Sequence, residues 1–325
     1  MRPLKWLLIN QLKHPRAKGK IDGFTLIELL VGMIIAFLII TPLLGFMLNI
    51  LDTDRKEQAK ANTEQEIKAA LDYIARDLQQ SVYIYDADGI AAIRSQLPKS
   101  STADKKTFFP VLVFWKRQYI QNGLTVATGV TDDTFVYSLV AYYLIKDNDP
   151  TWSKAARIGR FQISNGYGKT DTEKESTRDP GFKMFDLSNE GTLKSKMNLW
   201  TQKSSETYTQ DILPLVDYVD QTTINTTTNL VPPSCQADPS VTDPDKQPQM
   251  VPKFSGSGDA VATDNVKTRG FYACVNSDKT VAEVYLRGNA LARIQEPNLD
   301  FNESRKIYFP QASIRVQGIG SLFTK

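Results

Sequence analysis

Residues 29–48 contain no charged side chain. As a helix rising ~1.5 Å per residue, that stretch reaches about 30 Å, the thickness of a bilayer's hydrocarbon core. It reads as a membrane anchor. Upstream lie Arg2, Lys5, Lys13, Arg16, Lys18 and Lys20 against a single acid, Asp22. Such a Lys and Arg excess beside an apolar span holds that end in the cytoplasm. The rest of the chain is then expected beyond the inner membrane.

A secretory signal is the first rival reading. Its apolar region is ~7–15 residues and ends at an Ala-x-Ala-like site. Here the run is longer, and Asn49-Ile50-Leu51-Asp52 offers no such site. A plain single-span anchor is the second rival, and it would need neither Gly23 nor Glu28. Glu28 decides between them. A carboxylate near the end of a membrane helix is expensive and is a functional signal by default. Cleavage after Gly23 would create a partner for it, because Phe24 becomes a free α-amine four residues before Glu28. The amine of a neighbouring subunit could pair with this carboxylate and neutralise both inside an apolar bundle.

The stretch Gly23-Phe24-Thr25-Leu26-Ile27-Glu28, with the basic leader before it and the uncharged run behind it, resembles the N-terminus of type IV pilins and type II secretion pseudopilins. The resemblance covers residues 23–51. It implies a prepilin peptidase cut between Gly23 and Phe24, N-methylation of Phe24, and subunit docking guided by Glu28. It also implies partners: prepilin peptidase, other pilins or pseudopilins through the N-terminal helix, and an inner-membrane assembly platform. The protein would sit as a single-pass inner-membrane protein, leader in the cytoplasm and head in the periplasm, and then enter a fibre or reach the cell surface.

Removing residues 1–23 leaves 302 residues, and the net charge of +3 falls to near −2 because the leader holds six basic groups and one acid. The basic balance of the precursor is therefore no nucleic-acid footprint, and nucleic acid is not an expected partner. The chain has two cysteines, Cys235 and Cys274. Outside the cytoplasm such a pair is expected to form a disulfide, in preference to a metal or redox site or two free thiols. A bridge closing about 40 residues would stabilise by roughly 3–4 kcal/mol.

Past the anchor, charge density rises but helical spacing persists: Ile67, Leu71, Ile74 and Leu78 recur at steps of four, three and four, and Ala70 and Val82 extend the stripe. Residues 52–82 thus read as an amphipathic half-helix packed on a globular head. Pro42 and Gly45 predict a kink or local break in the membrane half. Residues 86–107 and 165–181 read as loops. Strands are expected at 111–115, 135–145, 157–164, 270–275, 281–286 and 307–316, where β-branched and aromatic residues concentrate. The second of these reads as central. Residues 212–219 read as a strand or short helix, with Pro214 arguing for an edge, and 182–200 read ambiguously, with a short helix as one option. The Pro- and Thr-rich stretch at about 222–268 reads as a surface excursion, which a Cys235–Cys274 bridge would staple to the sheet.

One long helix followed by many strands argues for an α+β fold with an antiparallel sheet. That order resembles the pilin fold. The expected parts are a leader at 1–23, an anchor half at 24–51, an amphipathic half at 52–82, and a β-rich head at 83–325. The length suits a minor, specialised subunit. The segments Gly270-Phe271-Tyr272-Ala273-Cys274-Val275 and Val284-Tyr285-Leu286-Arg287-Gly288-Asn289-Ala290 are similar to large minor pseudopilins of cyanobacteria. That resemblance implies a role in secreting the polysaccharide that hormogonia use for gliding.

The sole histidine, His14, lies in the leader. The mature chain would lack Ser-His-Asp catalysis, Cys-His catalysis and any His-metal site. No Walker-type or GxGxxG phosphate loop is present. Asp132-Asp133 reads as a solvated turn in preference to a glycosidase pair. Asp238, Asp243 and Asp245 lack the EF-hand pattern and read as a solvated acidic loop. Trp115-Lys116-Arg117-Gln118-Tyr119 could stack sugars or single strands, but reads better as a strand end with a basic edge. No catalysis, metal or cofactor is expected. The reading is a structural assembly subunit, with a pilus-displayed module binding polysaccharide, a surface or DNA as the alternative.

Overall fold

The computed structural model describes residues 23–225, 230–256, 258–259, 261–295 and 297–320. Apart from Gly23, the leader at 1–23 lies outside the described residues. The chain divides into two compact units, Met1–Asp54 and Arg55–Lys325. One helix, α1 (Leu26–Gln79), supplies residues to both.

In the first unit every described residue from 23 to 54 is exposed. Helix α1 is long and apolar enough here to cross a membrane. It continues through Pro42 and Gly45, so the break that these residues predict does not occur. Proline removes one backbone donor, while the bonds on either side persist. The Thr41 hydroxyl also donates to the Phe37 carbonyl at 2.8 Å.

The second unit has an α+β fold. From Arg55 onward α1 buries one stripe, including Ile67, Leu71, Ile74 and Leu78. Each such side chain contributes roughly 1.5–3 kcal/mol on leaving water. The helix ends at Gln79, short of residue 82. Val82 remains buried but belongs to a strand, β1 (Ser81–Tyr85), all five of whose residues are buried.

Strands β1, β2 (Phe108–Ala127), β3 (Val130–Ile145), β4 (Ala156–Ser164) and β5 (Leu213–Val219) form a five-stranded sheet in chain order. All four pairings are antiparallel. The strand expected at 135–145 is indeed central, and the one holding Pro214 is an edge. Strands β2 and β3 run well past the stretches that the sequence marks, because they continue together as a hairpin beyond the other strands. A second, four-stranded antiparallel sheet comprises β6 (Gln249–Val251), β7 (Phe271–Asn276), β8 (Val281–Arg287) and β9 (Gln311–Gln317).

Three loop or strand expectations change. Residues 86–107 contain a helix, α2 (Ala87–Ile93), capped by the Asp86 carboxylate accepting from the Gly89 amide at 3.0 Å. Residues 165–181 contain α3 (Asp171–Thr177), started by a reciprocal capping box of Thr170 and Glu173. The last strand starts at Gln311, because 303–308 turn as a 3-10 helix capped by Asn302. Residues 182–200 hold one short helix, α4 (Leu193–Met197).

Two close contacts seat α1 on the sheets. Gly288, just past β8, faces Thr63 and Ile67 so closely that a Cβ there would strike the Thr63 methyl. Near the helix end, buried Asp77 meets three strands. Its carboxylate takes the Lys116 ammonium of β2 and the Arg160 guanidinium of β4, each at 2.8 Å, and the Tyr142 hydroxyl of β3 at 2.7 Å. Burial opposes the Asp77 charge, but the hydrogen bonds and charges of Arg160 and Lys116 outweigh it and hold its carboxyl below the ordinary value.

Removing one member of such a cluster strands the others without water. Asp77→Ala is therefore expected to destabilise the protein by about 3–5 kcal/mol, read by urea unfolding of the detergent-solubilised chain. Because the folded pKa is lowered, the contribution of Asp77 is full above the unfolded value of about 3.9 and is lost as pH falls below it. The Asp77→Ala penalty should accordingly shrink as pH falls below about 4. A penalty unchanged across that window would refute the charged-clamp account.

Candidate functional site

The residues that open α1 are arranged by one cap. Thr25 precedes the helix, and its hydroxyl accepts from the Glu28 amide at 3.3 Å while its carbonyl accepts from the Glu28 and Leu29 amides at 3.1 Å. This satisfies orphan donors of the first turn. Gly23 and Phe24 consequently lie outside the helix, and Phe24 is 81% exposed. Glu28 stands in the first turn, where a carboxylate is favoured by the helix dipole. Among the described residues its side chain is exposed and meets no cation. The sequence-marked set Gly23, Phe24 and Glu28 is thus brought together within one helical turn of the start of α1.

Cys235 and Cys274 are bonded, with S–S 2.04 Å and Cα atoms 5.6 Å apart. Cys274 lies on β7, opposite Met250 of β6 and Glu283 of β8. The bridge staples the excursion to the second sheet. Within that excursion β6 is the one strand among the described residues, and residues 226–229, 257 and 260 are not described.

The remaining candidates resolve into structural roles. Asp133 accepts from the Tyr119 hydroxyl and from the Asn122 amide, and Asp132 accepts from the Asp133 amide, so the pair shapes the β2–β3 hairpin. Asp238 is answered by Lys279 at 2.7 Å and Asp243 lies 3.8 Å from Lys246; the Asp245 side chain lies outside the described set. Among the described residues no group of three or more His, Cys, Asp or Glu side chains could hold a metal ion. Trp115 is fully buried, edge-on to Phe182, Phe185 and Trp200. Lys116 is spent on Asp77. Neither offers a stacking platform.

Two features escape a reading by residue pattern. Asp77 sits seven residues after Ala70, on the buried stripe itself, and an acid on an apolar stripe is the signal that would have found it. Trp152 is the one aromatic residue in a 147–154 loop otherwise composed of Asp, Asn, Pro, Thr, Ser and Lys, and that isolation is its signal.

No protein-family model matches this chain, and no curated protein or solved structure matches it. What the fold and the site define is an α+β protein: an exposed apolar N-terminal helix of membrane-spanning length, whose later turns pack on antiparallel sheet, with a disulfide-stapled excursion.

The disulfide closes a sequence separation of 39 residues. Its removal in a Cys235→Ser/Cys274→Ser variant is expected to lower stability by roughly 3–4 kcal/mol. Urea unfolding with and without dithiothreitol measures this: reductant should lower the wild-type midpoint and leave the variant's unchanged.

Proposed function

We propose that the chain is a minor pseudopilin, a structural subunit of a type IV pilus-like or type II secretion-like machine. Prepilin peptidase would cut between Gly23 and Phe24, and Phe24 would be N-methylated. The observation that carries this reading is local. The Gly23-Phe24 bond lies in non-helical chain, and the helix that follows holds one acid in its first turn and then no charge through residue 48. A peptidase must reach an extended backbone, and a bond inside the helix would first have to be unwound.

The mechanism has three physical steps. The basic leader keeps the N-terminus inside while the head crosses. Cleavage discards the leader and leaves α1 as the anchor of the mature chain. Extraction from lipid then buries the exposed apolar side chains against neighbouring helices, and an unpaired Glu28 in that setting is expensive unless a cation answers it. The Phe24 amine of an adjacent subunit is such a cation, and pairing only at the correct axial offset sets register.

The more specific reading is support of polysaccharide secretion and gliding motility. It rests on the two head segments that resemble cyanobacterial minor pseudopilins. Those segments lie in the paired strands β7 and β8, with Ala273 opposite Val284. The bulk of the second unit suits a tip or initiating position better than a repeating shaft.

Mass spectrometry of the protein from cells with and without prepilin peptidase is the test. A mature N-terminus at methylated Phe24, only where peptidase is present, is expected. An intact Met1 in peptidase-positive cells would overturn the reading. Glu28→Ala should be processed and membrane-held yet fail to enter fibres, as read by shearing and immunoblotting; normal incorporation would remove the docking role.

A further inference from the structure

Within the second unit, a groove of ≈630 Å³ opens between the 147–154 loop and the residues Ala292, Gln295 and Leu299. That size falls within the ~300–1,000 Å³ usual for small-ligand sites. Trp152 and Tyr218 line it, together with Asn148, Asp149 and Gln295. Trp152 is 37% exposed.

Both rings are held in place. The Arg157 guanidinium lies 5.6 Å from the Trp152 ring, and that of Arg293 lies 3.9 Å from the Tyr218 ring. Each cation is itself fixed: Arg157 by a two-pronged bond to Asp147 at 2.6 and 2.7 Å, and Arg293 by Glu66 and the Thr63 hydroxyl. The Trp152 loop is pinned next door, where Asp217 of β5 takes the Ser153 amide at 2.9 Å and its hydroxyl at 2.7 Å. On the other wall, the buried Asn289 caps the 3-10 turn at 290–293 and donates to the Leu299 carbonyl at 2.9 Å. Its backbone N–H also donates to the Tyr218 carbonyl at 2.6 Å.

Tyr218 has φ +59°. A bulky side chain in the left-handed region is strained by an amount of order 1–3 kcal/mol, and such strain persists where the surroundings over-determine it, most often at ligand sites. The Asn289 bond to its carbonyl and the Arg293 guanidinium over its ring hold Tyr218 in that conformation on the groove wall. The result is a preorganised pair of aromatic rings flanked by the Asn148 and Gln295 amides, two carboxylates and the Lys154 ammonium.

We infer that this groove binds a segment of neutral polysaccharide, with Trp152 and Tyr218 stacking on the apolar faces of pyranose rings and Asn148, Asp149 and Gln295 hydrogen-bonding sugar hydroxyls. Charge selects the class. The two nearby guanidiniums are spent on Asp147 and Glu66, and among the described lining side chains two carboxylates, Asp147 and Asp149, outnumber the one ammonium, Lys154. Asp149, an acceptor fixed by the Thr151 amide at 2.9 Å, repels anions. Uronic-acid polymers and single-stranded nucleic acid are both disfavoured on that ground. The site is independent of the assembly role of the N-terminus.

The test is isothermal titration calorimetry on the full chain in a detergent without a sugar headgroup. The probes are cellohexaose, laminarihexaose, mannohexaose, a guluronate hexamer and a dT hexamer. At least one neutral hexasaccharide should bind with a dissociation constant of about 1 mM or tighter. Trp152→Ala should weaken it about tenfold or more, Trp152→Phe should retain it, and Gln295→Ala should weaken it several-fold, all with unchanged thermal unfolding. No binding of any neutral probe, equal binding by Trp152→Ala, or capture of the guluronate or dT hexamer through Trp152 would overturn the inference. Trp152→Ala should still be processed at Gly23, so loss of sugar binding is distinguishable from failure of assembly.

Discussion

The second unit depends on how the buried Asp77 carboxylate is answered. A lone carboxylate taken out of water is costly by several kcal/mol. Here three strands each contribute one group to it: an ammonium from β2, a hydroxyl from β3 and a guanidinium from β4. Those strands are consecutive neighbours in the sheet, so satisfying one acid fixes the rotation of α1 and its position across the sheet together. A purely apolar stripe would tolerate sliding by a helical turn. The clamp would not, because a shift of one turn would leave Asp77, Lys116 and Arg160 buried and unpaired.

A comparable device joins the two sheets. Asp220, at the end of β5, is fully buried and accepts from Arg287 of β8 at 2.7 Å, while the Asp220 amide donates to the Arg287 carbonyl at 2.9 Å. The chain around this pair is so close that a Cβ on Gly270 would strike the Asp220 carbonyl. The Arg287 side chain also lies 4.3 Å from the Phe301 ring, which draws the segment before β9 onto the same anchor. The Cys235–Cys274 bridge then ties the irregular excursion to β7. Both sheets thus share one core while each remains a simple antiparallel meander.

What the sequence discloses follows the range of the forces involved. The apolar run, the stripe of Ile67, Leu71, Ile74 and Leu78, the central strand around Val140 and the edge strand with Pro214 are written locally, by periodicity and by proline's missing donor. The disulfide was legible because only one pairing of two cysteines exists. The short helix at Ala87–Ile93 was not, since seven residues carry too few periods to show; it stands on its Asp86 cap and on burial of Ile90 and Ile93. The helix at Asp171–Thr177 did advertise itself, through Thr170 and Glu173 at capping-box spacing, inside a stretch whose polarity reads as loop. Pairings such as Asp77 with Arg160, or Asp147 with Arg157, are set by tertiary placement, and no local rule yields them.

The two acids of α1 that lie outside its charged surface pattern make a useful contrast. Asp77 is buried and has three partners from its own fold. Glu28 stands in an uncharged stretch, exposed, with no cation near it among the described residues. The first needs nothing further. The second is tolerable in water or at a bilayer surface, where its charge is solvated, and becomes costly once the helix around it is packed against other apolar helices. Its place in the first turn of α1 is favoured by the helix dipole, and under the proposed assembly a neighbouring chain would supply the positive charge that packing demands. Asp77 shows what such an answer looks like when the same chain provides it; for Glu28 the proposed docking would draw it from a second copy or a related subunit.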